Sequence, residues 1–324
     1  MSVVEVDAPV LPVVDLTDFF SGDAARRDAV VANIRQGCLD KGFLYVTGHG
    51  VPERLIEEVF RQTEAFFALP MDEKMKIETS HSLTGNRGYE PPAAQTLDPG
   101  QMPDLKESLL MGIDLPMDHP SVKDGLYNRG PNLWPDPSRL PKFKSVMDEY
   151  FEAMIRVSEA MMSGIALSLG LPETYFEGYN TDPVAVLRLL SYAPQPADAA
   201  EGEIGCGAHT DFGGVTLLLQ DEVGGLQVRD VDNGEWVDAP PISGGYVVNL
   251  GDMMERWTND IYRSTMHRVI NRSDRTRYSV PFFFDGNPEY VVECLPQCQS
   301  ADNPPHYKPI TVREHLINCF TATY

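Results

Sequence analysis

Basic residues are scarce in this 324-residue chain: 26 lysines and arginines stand against 48 acidic residues, a formal net charge of −22 at pH 7. A surface of that sign repels phosphate backbones and anionic headgroups, which argues against sequence-independent binding to nucleic acid or an acidic membrane. The expected partner is a small-molecule substrate. Long apolar runs are also missing. None approaches the roughly 18 residues of a membrane helix, and the opening stretch MSVVEVDAPV has neither the basic nor the apolar segment of a secretory leader, so a cytoplasmic address is expected. Cysteine is sparse and odd in number: Cys38, Cys206, Cys294, Cys298 and Cys319 contain no CxxC pair and read as reduced, buried thiols. Cys294 and Cys298, with three residues between them, lack the second pair that a zinc site needs. What is present is an ordinary globular composition, 42% hydrophobic and 9% aromatic. At this length roughly 75% of the unfolded surface can be buried, so a large core is available. Nothing in the sequence specifies an oligomeric state.

Periodicity divides the chain into a helix-rich part and a strand-rich part. The segment 11–16 is a short apolar strand. Residues 23–42 carry Val30, Ile34 and Cys38 at helical spacing and end at Gly42. Phe43–Thr47 is rich in β-formers, and 53–69 is helical again before Pro70, with a further helix near Asp72. From about 80 to 140 prolines multiply, as in loops that wall a pocket, interrupted by the segment 104–112. Residues 142–169 form the longest helical pattern, with Met154, Val157, Met161 and Ile165 on one face, suited to backing a sheet. After Pro183 the period changes to two. Short β-rich runs at 184–191, 215–220, 226–231, 235–238, 246–250, 264–271 and 278–285, separated by turn-formers, suit an antiparallel sandwich or jelly roll. The chain reads as one structural unit in four stretches: 1–140, 141–182, 183–285 and 286–324. The fold class expected is mainly β with flanking helices.

Within the β-rich part, Gly207-Ala-His209-Thr-Asp211-Phe212 places His209 and Asp211 two residues apart. In an extended segment both side chains project to one face. A third ligand can come from His267, in the separate β-rich run 264–271. Two histidines and a carboxylate on one face leave open positions, the arrangement of non-haem Fe(II) oxygenases. On the following strand Arg277 and Ser279 alternate in the same way. A planar guanidinium fork beside a hydroxyl suits a carboxylate, and a chain this acidic needs such a local cation to hold an anion. Continuing the alternation brings Phe283 inward as an apolar wall, and Phe212 is another candidate, directly after Asp211. Arg87 and Tyr89, in the loop-rich region, are candidates for covering the mouth of the pocket.

Together His209, Asp211, His267, Arg277 and Ser279 resemble the HxD…H…RxS pattern of the Fe(II) and 2-oxoglutarate-dependent dioxygenases, in the branch of isopenicillin N synthase. Further matching stretches are 42–52 (GFLYVTGHGVP), 66–70 (FFALP), 86–89 (NRGY), 104–107 (DLKE), 224–228 (GGLQV), 249–252 (NLGD) and the tail Ala322-Thr-Tyr324, so the resemblance spans nearly the whole chain. It implies a double-stranded β-helix, or distorted jelly roll, with N-terminal helices packed outside. It also implies Fe(II) held by His209, Asp211 and His267, and 2-oxoglutarate and O2 as cosubstrates, with the C5 carboxylate on Arg277 and Ser279. Tyr192 falls where many members have a tyrosine touching that carboxylate, whereas Leu190 replaces an asparagine frequent in plant members. His49, in Gly-His-Gly-Val-Pro, reads as structural. Several of the stretches look similar to fungal thymine hydroxylase, which suggests a small polar heterocycle as substrate. The reaction class implied is hydroxylation or desaturation, yielding succinate and CO2.

Three rivals remain on the sequence alone. An isopenicillin N synthase-like oxidase would use O2 without 2-oxoglutarate and turn Arg277 and Ser279 to its substrate. A zinc hydrolase would share the ligand types, but no HExxH motif supplies its base. A metal-free binding protein would retain only the fold.

Overall fold

The computed structural model describes residues 11–84, 86–96, 103–194 and 205–323; the side chains of the tail Ala322-Thr-Tyr324 lie outside this set. Among the described residues twelve strands build the two larger sheets. They are β1 (Val13–Asp15), β2 (Phe43–Thr47), β3 (Gly88–Glu90), β4 (Lys106–Gly112), β5 (Val184–Tyr192), β6 (Cys206–His209), β7 (Val215–Gln220), β8 (Leu226–Arg229), β9 (Trp236–Asp238), β10 (Tyr246–Leu250), β11 (His267–Val269) and β12 (Arg277–Gly286). The large sheet runs β1-β2-β10-β7-β12-β5-β4-β3 and the small one β6-β11-β8-β9. Every pairing is antiparallel except β1 with β2. This is a jelly-roll architecture with helices, as expected.

The reason for two layers is visible in β5 and β12, which are buried on both faces. Leu187, Leu189, Val280, Phe282 and Phe284 join a core with Met154, Val157, Met161 and Ile165 of the long helix Phe143–Ser168. The alternate residues Leu190 and Tyr192 pack instead with Cys206, Leu226, Val228 and Val269 of the small sheet. A slip of one residue would exchange these two environments, so the apolar pattern holds the register wherever both faces are covered.

The segment 104–112 does interrupt the loops, and the structure adds what it is: Lys106–Gly112 is strand β4, paired along its whole length with β5. The N-terminal part supplies β1 and β2, where strands were expected, at one edge of the large sheet and β3 and β4 at the other, so the stretches 1–140 and 183–285 share one sheet. The sequence pattern does not mark β4 as a strand because it is buried at six of its seven residues, and a run with no exposed face shows no period of two. Gly42, with φ +64°, ends the helix Ala24–Asp40 where any Cβ would strike the carbonyl of Arg263. Among the described residues no helix is long and apolar enough to cross a membrane.

Candidate metal and cosubstrate site

β6 and β11 are neighbours, and their register sets His209 directly opposite His267. The two imidazoles lie with ring centroids 4.3 Å apart. Each presents Nε2 to Asp211 Oδ1 at 3.7 Å. Each is also turned by its other nitrogen: His209 Nδ1–H donates to the Gly207 carbonyl at 2.7 Å and His267 Nδ1–H to the Thr265 carbonyl at 3.1 Å. Asp211 Oδ2 accepts from Asn249 Nδ2 at 2.7 Å. Three donor atoms therefore face one point while the opposite atom of each side chain is held elsewhere, the arrangement that fixes ligand orientation in metal sites. Burial pushes both imidazoles toward the neutral form, His267 to about 4 with the neighbouring His209 adding to the effect. Burial would raise the Asp211 carboxyl, but His267, His209 and the bonds from Asn249 and Thr216 outweigh it and leave the group below its ordinary value. Neutral imidazoles and an ionised carboxylate are the states a metal needs.

The strand itself stops at His209, so Asp211 is not aimed by strand alternation. Its loop is tied instead to the helix Asp252–Trp257: Asp252 N–H donates to the Asp211 carbonyl at 2.8 Å and Met253 N–H to the Gly213 carbonyl at 3.2 Å. Asn249, from β10, is a positioning residue that sequence reasoning missed, although Asn-Leu-Gly-Asp was among the matching stretches. Replacing it with alanine is expected to weaken divalent-metal binding about 10- to 100-fold, the usual cost of losing such a partner, as read by Mn(II) titration; unchanged affinity would remove it from this role.

Arg277, Ser279 and Tyr192 converge beside the triad. Arg277 lies opposite Tyr192 in the ladder, with its guanidinium 4.8 Å from the tyrosine ring centroid. It is wholly buried, and its bonds go to the Gly224 carbonyl, Ser279 Oγ and Gln220 Oε1. All three partners are neutral, and among the described residues no carboxylate lies within ion-pair distance of it. A buried cation without an anion is costly, which makes this pocket fit a carboxylate-bearing ligand. The two other cations nearby are already engaged, Lys106 with Asp104 and Arg188 with Glu90 and Gln95. Asp104 also accepts the Gly207 N–H at 2.8 Å, so the Asp-Leu-Lys-Glu stretch braces the strand that carries His209.

The triad opens onto a cavity of about 480 Å³ whose walls include Phe212, Phe283, Val186, Leu110 and Phe320. Phe212 and Phe283 stand where the sequence puts them. Arg87 and Tyr89 do not line this cavity. Arg87 is buried against Asn128, at 2.5 Å from its Oδ1, and the Ile113 carbonyl, while the Tyr89 hydroxyl donates to Glu107 at 2.6 Å. Their neighbour Asn86 lines it instead. His49 is a turn brace: it accepts from Val51 N–H at 3.1 Å and donates to the Gly244 carbonyl at 3.0 Å. The C-terminal helix Val312–Thr323 forms a further wall, unforeseen from the sequence. Phe320 meets Phe212 edge-on at 5.5 Å, and His315 Nε2–H donates to the Phe212 carbonyl at 2.9 Å.

Residues 11–137 match the N-terminal family of the non-haem dioxygenases of morphine synthesis, and residues 182–286 match the 2OG-Fe(II) oxygenase superfamily. The chain belongs to the 2OG-Fe(II) oxygenases. Among curated relatives, the 2-oxoglutarate-Fe(II) type oxidoreductase hxnY of Emericella nidulans is 43% identical over 97% of this chain and 90% of its own length. The 2-oxoglutarate-dependent dioxygenase citB of Monascus ruber is 41% identical, covering 97% and 95%. Among solved structures, a full-length oxygenase of Neurospora crassa in complex with alpha-KG superposes with a TM-score of 0.86 at 32% identity, over 99% of this chain and 98% of that one. The same Neurospora enzyme in complex with alpha-KG and thymine gives 0.85 at 31%, over 99% of each chain. This chain is thus an Fe(II)- and 2-oxoglutarate-dependent oxidoreductase that consumes O2.

Proposed function

We propose that His209 Nε2, Asp211 Oδ1 and His267 Nε2 hold the Fe(II), that Arg277 and Ser279 with Tyr192 take the C5 carboxylate of 2-oxoglutarate, and that the Phe212/Phe283 cavity receives the prime substrate. The observation that carries this is the pairing of three converged donor atoms with a buried guanidinium that makes no ion pair among the described residues. Iron bound there, with the cosubstrate, supplies the oxidising power: O2 takes four electrons, two from decarboxylation of 2-oxoglutarate and two from the substrate, so that R–H + O2 + 2-oxoglutarate gives R–OH + succinate + CO2. The protein's own residues bind and orient. Gly207, Thr265 and Asn249 aim the ligands, Gln220 and Gly224 aim Arg277, and the phenylalanines exclude water from the reacting C–H bond. A small ring heterocycle as substrate is supported by the cavity and by the thymine-bound Neurospora enzyme. The five free thiols support a reducing, cytoplasmic setting.

The test is an anaerobic titration of the Fe(II)-loaded protein with 2-oxoglutarate, following the weak visible charge-transfer band of a chelated keto acid. Saturation near one equivalent is expected. Iron binding without a band would favour the oxidase that works without 2-oxoglutarate, with Arg277 holding its substrate.

A further inference from the structure

Asp285 continues the alternation of β12 beyond Phe283 and lines the same cavity. Its residue is only 7% exposed, and none of the described residues hydrogen-bonds to or ion-pairs with its carboxyl group. It packs on Gly213, two residues after Asp211, where any side chain would collide with the carboxylate; the metal triad and this acid thus share one end of the pocket. Tyr127 and Cys319 lie near enough to feel its charge. Burial first, and the Asp211 charge second, push its pKa up to about 7. The carboxyl opens onto the cavity, so a ligand that displaces the cavity water must bring a donor or leave this acceptor unsatisfied. Polar side chains such as Tyr127, Thr210 and Thr321 line the cavity too, but none of the described residues donates to Asp285, which leaves the donor for the ligand to bring.

Resting on the assignment of this cavity to the prime substrate, we infer that Asp285 selects that substrate: a neutral or cationic ring compound that presents an N–H or O–H donor to the carboxyl beside the reacting carbon, and not a compound carrying an anion at that end. An anionic group at this end is accepted only if Asp285 first takes up a proton, whereas a donor satisfies the carboxylate directly and places the ring between Phe212 and Phe283. A methyl group on the donor atom removes the bond and adds bulk against the acid.

The experiment uses the holoenzyme with Fe(II), 2-oxoglutarate and O2. Its probe is a defined mixture of six-membered lactams and imides (thymine among them) and phenols, each with its N-methyl or O-methyl counterpart and a carboxylic acid analogue. Oxygenated products are read by mass and succinate is measured in parallel. Wild type is expected to favour a donor compound over its methylated partner by about 10- to 100-fold in kcat/KM. Asp285→Ala, which removes the acceptor and leaves room for the methyl group, is expected to bring that ratio to within about 3-fold, while Asp285→Asn retains part of it. The N–H and O–H arms distinguish the two donor sources. Turnover confined to methylated or acidic compounds, no turnover of any donor compound, or an unchanged ratio in Asp285→Ala would overturn the inference. Failure of the parent reading looks different: if the iron and 2-oxoglutarate assignment is wrong, the charge-transfer band is absent from wild type and variants alike, and if the cavity is not the substrate site, Val186→Trp, which narrows it, leaves turnover of the mixture unchanged.

Discussion

Asp211→Ala is expected to lose stoichiometric Fe(II) binding, with affinity falling by more than about 100-fold. Asp211 is the only anionic donor of the triad, and its Oδ1 lies 3.7 Å from both imidazole Nε2 atoms. Without it the two neutral histidines have no charge to set against a divalent cation, so the loss should exceed the roughly 10- to 100-fold expected for the outer partner Asn249. The fold should tolerate the change, because the loop stays tied through the backbone carbonyl of Asp211 even when the side-chain bond from Asn249 is lost. Anaerobic Fe(II) titration, with circular dichroism as the folding control, decides the matter. A folded variant that still binds one iron tightly would show that the triad is not the metal site.

Arg277→Leu is expected to raise the 2-oxoglutarate concentration for half-saturation by about 30-fold or more while leaving iron binding intact. Removing one partner of a buried, hydrogen-bonded charge pair costs about 2–5 kcal/mol, and about 2 kcal/mol already corresponds to a factor of about 30. Arg277 is suited to the pair because its hydrogen bonds go only to neutral groups and no described carboxylate is within ion-pair distance, whereas Lys106 and Arg188 already face Asp104 and Glu90. Arg277→Lys should fall between the two, since an ammonium keeps the charge but not the planar fork that also reaches Gly224 and Gln220. The readout is the charge-transfer titration at fixed Fe(II). An unchanged half-saturation in Arg277→Leu would move the anchor to another cation.

Arg277, Ser279 and Phe283 were legible in the sequence because they share an unbroken strand, where i and i+2 must share a face. The same rule reaches Asp285 one step further on, but nothing in a one-dimensional pattern says that its carboxyl lacks a partner. Arg87 and Tyr89 show the opposite case: a polar residue in a proline-rich stretch looks available for substrate until Asn128 and Glu107 are found holding it.

The sequence by itself determined the residue types of the site, the alternation of β5 and β12, the long helix behind the sheet and the family to which the chain belongs. These rest on spacing and side-chain chemistry, which are local. Only the tertiary structure decided that β4 is a strand inside the large sheet, that Asn249 and Asp252 rather than a ladder hold Asp211, and that the C-terminal helix reaches back to Phe212 through His315. Each of those is a contact between segments distant in the chain. Its energy comes from satisfying a buried polar group or covering an apolar face, and both depend on what lies opposite rather than on what lies next in the sequence.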